Sequence, residues 1–223
     1  MTTLLTDLPL LMNGLVITLI LMFSSLSIGF ILSILMTIGS LSDRVFIKKG
    51  IDCLIFFVRG TPLLVQIFLI YYGAGQFEWI RHSSLWIILR EPMACAIIAF
   101  SFNTACYTTI ILKGAIHSVP RNEIDACHAI GMSKWQAMRR IIFPRAFRIA
   151  LPAYSNEVLI ILKSTSLAST ITLLDLMGVT QQLISETYDT VTFYVIAGVI
   201  YLLLNAIITS IFMFLQRWAR VPG

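Results

Sequence analysis

Long apolar runs alternate with short polar ones along the chain, and not one ionisable residue occurs between Asp7 and Asp43. Charge-free or nearly charge-free stretches recur at 8–41, 53–77, 92–112, 149–174 and 190–216; the second contains Arg59 and the fourth Glu157 and Lys163. Each exceeds or matches the roughly 20 residues a helix needs to cross the hydrocarbon layer. Lipid offers no partners for backbone N–H and C=O groups, so the spans are expected to be helices. The pattern predicts an all-α integral membrane protein with about five transmembrane helices, forming a single membrane domain over 8–216.

The longest polar connection, 113–148, has a periodicity of its own. Ile124, Cys127 and Ile130 recur every three residues, as do Trp135, Met138, Ile141 and Ile142, opposite Lys134 and Arg139. Two short amphipathic helices are expected, broken at Gly131, a residue suited to a left-handed cap. Ser133 with Gln136 three residues on reads as a capping box opening the second, and Pro144 is expected to stop or kink it.

Composition sharpens this picture. The 223 residues are 58% hydrophobic and 12% charged, where a soluble domain carries about a quarter charged residues. A net charge of +5 raises nucleic acid as a partner, but the cations sit between apolar runs, as membrane orientation and anionic lipid contact require. Arg44, Lys48 and Lys49 lie in the first connection; Lys113, Arg121, Lys134, Arg139, Arg140, Arg145 and Arg148 in the third; Arg217 and Arg220 in the tail. The opposite side has only Arg81 and Arg90. The positive-inside rule therefore puts the N-terminus outside and the C-terminus in the cytoplasm. With its first cation at Arg44, the leading apolar run reads as a retained helix and not as a cleaved signal. Cys53, Cys95, Cys106 and Cys127 stand singly, without a CxxC pair, and are expected to be small buried hydrophobes.

Motifs for chemistry are absent from the sequence. There is no GxxxxGK[ST], and Lys163-Ser164-Thr165 lacks the glycine loop that wraps phosphate. Neither a GxSxG elbow nor HExxH occurs, and His82, His117 and His128 are scattered. The chain is expected to have no catalytic residues, no metal site and no cofactor, with any ATP held by partner subunits.

Asp125-Ala126-Cys127, Gly131 six residues after Asp125, Ile141 and Phe143-Pro144 resemble the cytoplasmic-loop signature of ATP-binding-cassette importer permeases, Glu-Ala-Ala, Gly, Ile and Leu-Pro. Asp replaces Glu, Cys the second Ala, and Phe the Leu, with the spacing intact. The resemblance implies that 113–148 carries a coupling helix docking into a cytoplasmic ATPase dimer, for which Trp135 is the expected anchor. An amphipathic loop lying on the membrane is the alternative.

Arg59-Gly60-Thr61-Pro62 through Gln66 resembles the second-helix motif of polar amino-acid uptake permeases, and Asn156-Glu157 with Lys163 to Leu167 matches the same group. Tyr71-Tyr72-Gly73, Gly131-Met132-Ser133-Lys134 and Tyr154 to Glu157 are similar to arginine-type permeases. These likenesses imply a bacterial inner-membrane, multi-pass subunit with an identical or homologous permease partner and an extracytoplasmic binding protein. Transport would proceed by alternating access, with arginine or another basic amino acid as cargo. Asp175, Glu186 and Asp189 on the outer side agree with such a cargo only weakly.

An ionisable residue inside a span costs at least about 2.5 kcal/mol on insertion scales, so Arg59, Glu157 and Lys163 need partners or water. Asn156, Glu157, Lys163, Thr165 and Ser166 are candidates for lining a substrate path, the alternative being a structural charge network. For Arg59 the preferred reading is snorkelling to the interface; Gly60 and Pro62 mark either a break or a simple kink. Two rival functions remain at this point: a membrane anchor or assembly subunit without solute flux, and a stand-alone channel or secondary carrier.

Overall fold

The computed structural model describes residues 2–219, with side chains from Asp7 onward. Arg220, counted in the basic tail above, lies outside the described residues. All described elements are helical: α1 (Thr2–Ser40), α2 (Val45–Gly60), α3 (Leu63–Phe68) continuing as a π-turn (Leu69–Gly73), α4 (Glu78–Arg81), α5 (Trp86–Leu89) and α6 (Pro92–His117). Then follow α7 (Arg121–Ala129), α8 (Lys134–Ala137), a π-turn (Met138–Ile142), α9 (Phe143–Ser164), a 3-10 segment (Thr165–Ile171), α10 (Leu176–Thr187) and α11 (Thr190–Ala219).

Three helices are long and apolar enough to cross a membrane unbroken: α1 from Asp7, α6 and α11. The other two predicted spans are bent. The second breaks between α2 and α3, whose axes meet at 104°, and the fourth ends in a 49° turn into α10, a helix that fills most of the connection expected between 174 and 190. Hydropathy does not register a change of chain direction, so apolar composition alone could not place these breaks.

The central element is α6, which packs along α1 and against α9. Small residues permit the close approach: Cys95, Ala96, Ala99, Ala105 and Cys106 are all buried on α6. At Gly29 of α1, an added Cβ would meet Thr104 Cγ2 at 2.2 Å and the Ser101 carbonyl oxygen at 2.9 Å. By contrast α11 is largely exposed, and its apolar side chains Leu202, Leu203, Ile207, Ile211 and Phe214 form an outward face, as lipid contact demands.

Asp175 is buried and caps α10, its carboxylate accepting from the backbone N–H of Gly178 at 3.1 Å and Met177 at 3.3 Å. It is therefore spent on the helix start and is no outer acid available to a cation. The Leu176 N–H donates to Thr18 Oγ1 at 3.0 Å, tying α10 to α1. Cys95, Cys106 and Cys127 are buried as expected, but Cys53 is exposed, because it falls on the outward face of α2 while Ile55 and Val58 take the inward one.

The polar connection is narrower than its charge pattern suggests, since α6 runs on to His117 and α9 begins at Phe143. Pro144 does not stop the helix. It occupies the first turn of α9, and the π-turn before it, closed by the Phe143 N–H on the Met138 carbonyl, gives the ring room that a regular turn would deny. Lys113 of α6 pairs with Asp52 of α2 at 2.9 Å, which holds the first and third basic connections at one end of the bundle.

Candidate functional site

The break after α2 creates the site. α2 ends at Gly60, Thr61 and Pro62 are extended, and α3 restarts at Leu63. A helix that stops leaves carbonyls without intrahelical donors, and Gln66 supplies one. Its Nε2 lies 2.7 Å from the Val58 carbonyl, 3.1 Å from the Thr61 carbonyl and 2.9 Å from Thr61 Oγ1. Asn103 Nδ2 of α6 donates to Gln66 Oε1 at 3.3 Å, so the bend is fixed to the central helix.

Against this bend lies a cavity of about 460 Å³ lined by Arg59, Gly60, Thr61, Pro62, Asn103, Tyr107, Glu157 and Ser164, among others. Arg59 stacks its guanidinium over the Tyr107 ring, 5.0 Å from the centroid. The exposed Arg59 thus lines the cavity with its guanidinium held on an aromatic face. Glu157, only 3% exposed, keeps one carboxylate oxygen without a hydrogen-bond partner. Arg59 and Glu157 line one cavity without forming an ion pair. A buried, unpartnered carboxylate is costly, and a solute bearing both charges would satisfy the two groups together.

The five path candidates separate. Only Glu157 reaches the cavity. Asn156 and Lys163 are exposed and do not line it. Thr165 and Ser166 direct their hydroxyls to the carbonyls of Leu162 and Lys163, both at 2.7 Å. Residues Asn103, Tyr107 and Ser164 were missed. The polar run from Ser101 to Thr109 inside the third apolar stretch was the signal that could have pointed to α6.

At the basic end, α7 and α8 flank Gly131, whose φ of +77° is left-handed. Both bonds of the Ser133–Gln136 capping box are present. Cys127 and Ala137 are buried against Leu112, Ala115 and Val119 of the α6 end, with Ile124, Met138 and Ile141 packed around them. Arg145 of α9 pairs with Glu123 of α7 at 3.2 Å. Asp125, Ala126 and Pro144 are exposed. Ile130 and Trp135, expected on the apolar faces of the two helices, are 72% and 70% exposed, since inward positions are taken by Cys127 and Ala137. The connection is thus a packed platform with two uncovered apolar side chains. Among the described residues no cluster of three or more His, Cys, Asp or Glu could hold a metal.

Residues 29–221 match the family described as binding-protein-dependent transport system inner membrane component. The chain is 44% identical over 222 residues to the nopaline transport system permease protein NocM of Agrobacterium fabrum, covering 96% of this chain and 92% of that one. It is 40% identical over 210 residues to the arginine ABC transporter permease protein ArtM of Haemophilus influenzae, covering 94% and 92%. A solved structure of an amino acid ABC transporter with histidines superposes with a TM-score of 0.88 at 28% identity, covering 97% of both chains.

Proposed function

This chain belongs to the family of binding-protein-dependent transport system inner membrane components, and we propose that it is the permease subunit of an ATP-driven importer whose cargo is arginine or another basic amino acid. The observation that carries the cargo is the unpaired Arg59 and Glu157 in one cavity. Arg59 suits the carboxylate of an amino acid, and Glu157 suits its ammonium or a cationic side chain. The arginine permease among the relatives supports this choice.

Family membership implies an ATPase and a binding protein as partners. The platform of α7 and α8, with Asp125, Ala126, Gly131 and Trp135 on its surface, is the surface offered to the ATPase. A second permease, identical or homologous, completes the path between subunits. The basic end, where the first and third connections meet, faces the cytoplasm by the positive-inside rule. That orientation leaves the energy to the partner: ATP binding draws the coupling platforms together and reverses the accessibility of the cavity.

The test is uptake into vesicles holding the chain with its cognate permease, ATPase and binding protein. Arginine uptake that requires every part and ATP is the expected result. ATP-dependent flux of other amino acids without arginine discards the cargo, and no ATP-dependent flux of any amino acid from an intact assembly discards the transport reading.

A further inference from the structure

Where α9 and α11 meet at the basic end, two cavities of opposite chemistry lie side by side. One, of about 410 Å³, is lined by Ser118, Arg145, Arg148 and Gln216. The other, of about 620 Å³, is lined by Phe143, Phe147, Leu151, Phe212 and Leu215, with almost no polar surface. Arg148 and Ala219 line both. Arg145 is already engaged by Glu123, whereas Arg148 has no ion pair among the described residues. Trp218, 83% exposed, stands at the rim of the apolar groove.

We propose that this double cavity is a binding site for one anionic phospholipid, with the phosphate on Arg148 and an acyl chain in the apolar groove. Three features select this occupant. The polar cavity carries a cation without an ion pair, which favours a lipid of net negative charge over one whose phosphodiester is already balanced by its own ammonium. An arginine has an apolar stem and a charged head, so it suits the seam between hydrocarbon and headgroup. A tryptophan at the rim belongs at that same depth. A second copy of this chain would have to set a carboxylate beside Arg148 and fill the groove with apolar side chains at once. The site is independent of the substrate cavity, so its test does not depend on the cargo.

The experiment uses the whole purified importer in nanodiscs containing equal phosphatidylglycerol and phosphatidylcholine, with bound lipid read by native mass spectrometry. Wild type is expected to retain phosphatidylglycerol preferentially, and Arg148→Gln to lose about fivefold of that preference, the worth of one near-surface cation. Leu215→Trp, which fills the groove and leaves the arginine, is expected to reduce retention of both lipids. In parallel, a photo-crosslinking residue in place of Phe147 is expected to form a phospholipid adduct. No enrichment in wild type, an unchanged preference in Arg148→Gln, or an adduct only to another permease chain would each overturn the proposal.

Discussion

Asn103 donates its side-chain N–H to Gln66 across 3.3 Å, joining the central helix to the residue that closes the broken one. Gln66 is therefore a hinge pin: its amide serves the Val58 and Thr61 carbonyls on one side and Asn103 on the other. In Gln66→Leu those carbonyls and the Asn103 amide lose their partner. A buried polar group left unsatisfied costs about 1–3 kcal/mol, so the assembled importer should melt several degrees lower. Uptake should fall with it, because the 104° bend shapes one wall of the cavity. Unchanged melting and uptake would mean that the bend holds itself.

Glu157 presents the opposite relation between stability and activity. Its buried carboxylate has an unpartnered oxygen, and removing an uncompensated buried charge relieves the fold. Glu157→Gln is expected to raise the melting temperature of the importer while lowering arginine uptake at least about tenfold, the scale of one lost charge-assisted hydrogen bond. Uptake and substrate choice equal to wild type would remove Glu157 from the path.

How much of this was legible in the sequence depends on which force acted. The spans and the basic connections follow from hydropathy and charge, which are local properties, and α1 ends at Ser40, beside the expected limit of 41. The cap at Gly131 and the Ser133–Gln136 box were legible for the same reason. What escaped depended on direction in space. Asn156 and Glu157 are adjacent, yet about 100° apart around the helix, so one meets the outside and the other the cavity. Tyr107 lies 48 positions from Arg59, and no spacing rule joins them. The fate of Pro144 turned on a π-turn that hydropathy does not register.

Gly29 and Gly198 should respond oppositely to alanine. At Gly29 the new methyl would meet the Ser101 carbonyl oxygen at 2.9 Å as well as Thr104, and a backbone atom on the central helix cannot swing aside. Overpacking costs about 1–3 kcal/mol, so Gly29→Ala should lower both the yield and the melting temperature of the complex. At Gly198 on α11 nothing lies within 4 Å, and alanine's helix preference of up to about 1 kcal/mol should leave stability equal or higher. Equal effects at the two positions would show that the α1–α6 crossing is slack.

Ile130 and Trp135 test the coupling platform without disturbing its interior. Both side chains are mostly exposed, and the packing beneath them rests on Cys127, Ala137 and the α6 end. Replacing both by serine should therefore leave the melting temperature of the permease pair within a degree or two. If these side chains anchor the ATPase, interface anchors of this size each carry about 1–3 kcal/mol. The double variant should then retain at least about tenfold less ATPase on purification and lose binding-protein stimulation of ATP hydrolysis. Cys127→Trp, which forces a large ring into the packed layer, should instead lower stability and coupling together. Full ATPase retention in the serine variant would assign these two side chains to the membrane surface and move the coupling contact to the exposed Asp125–Ala126 edge of α7.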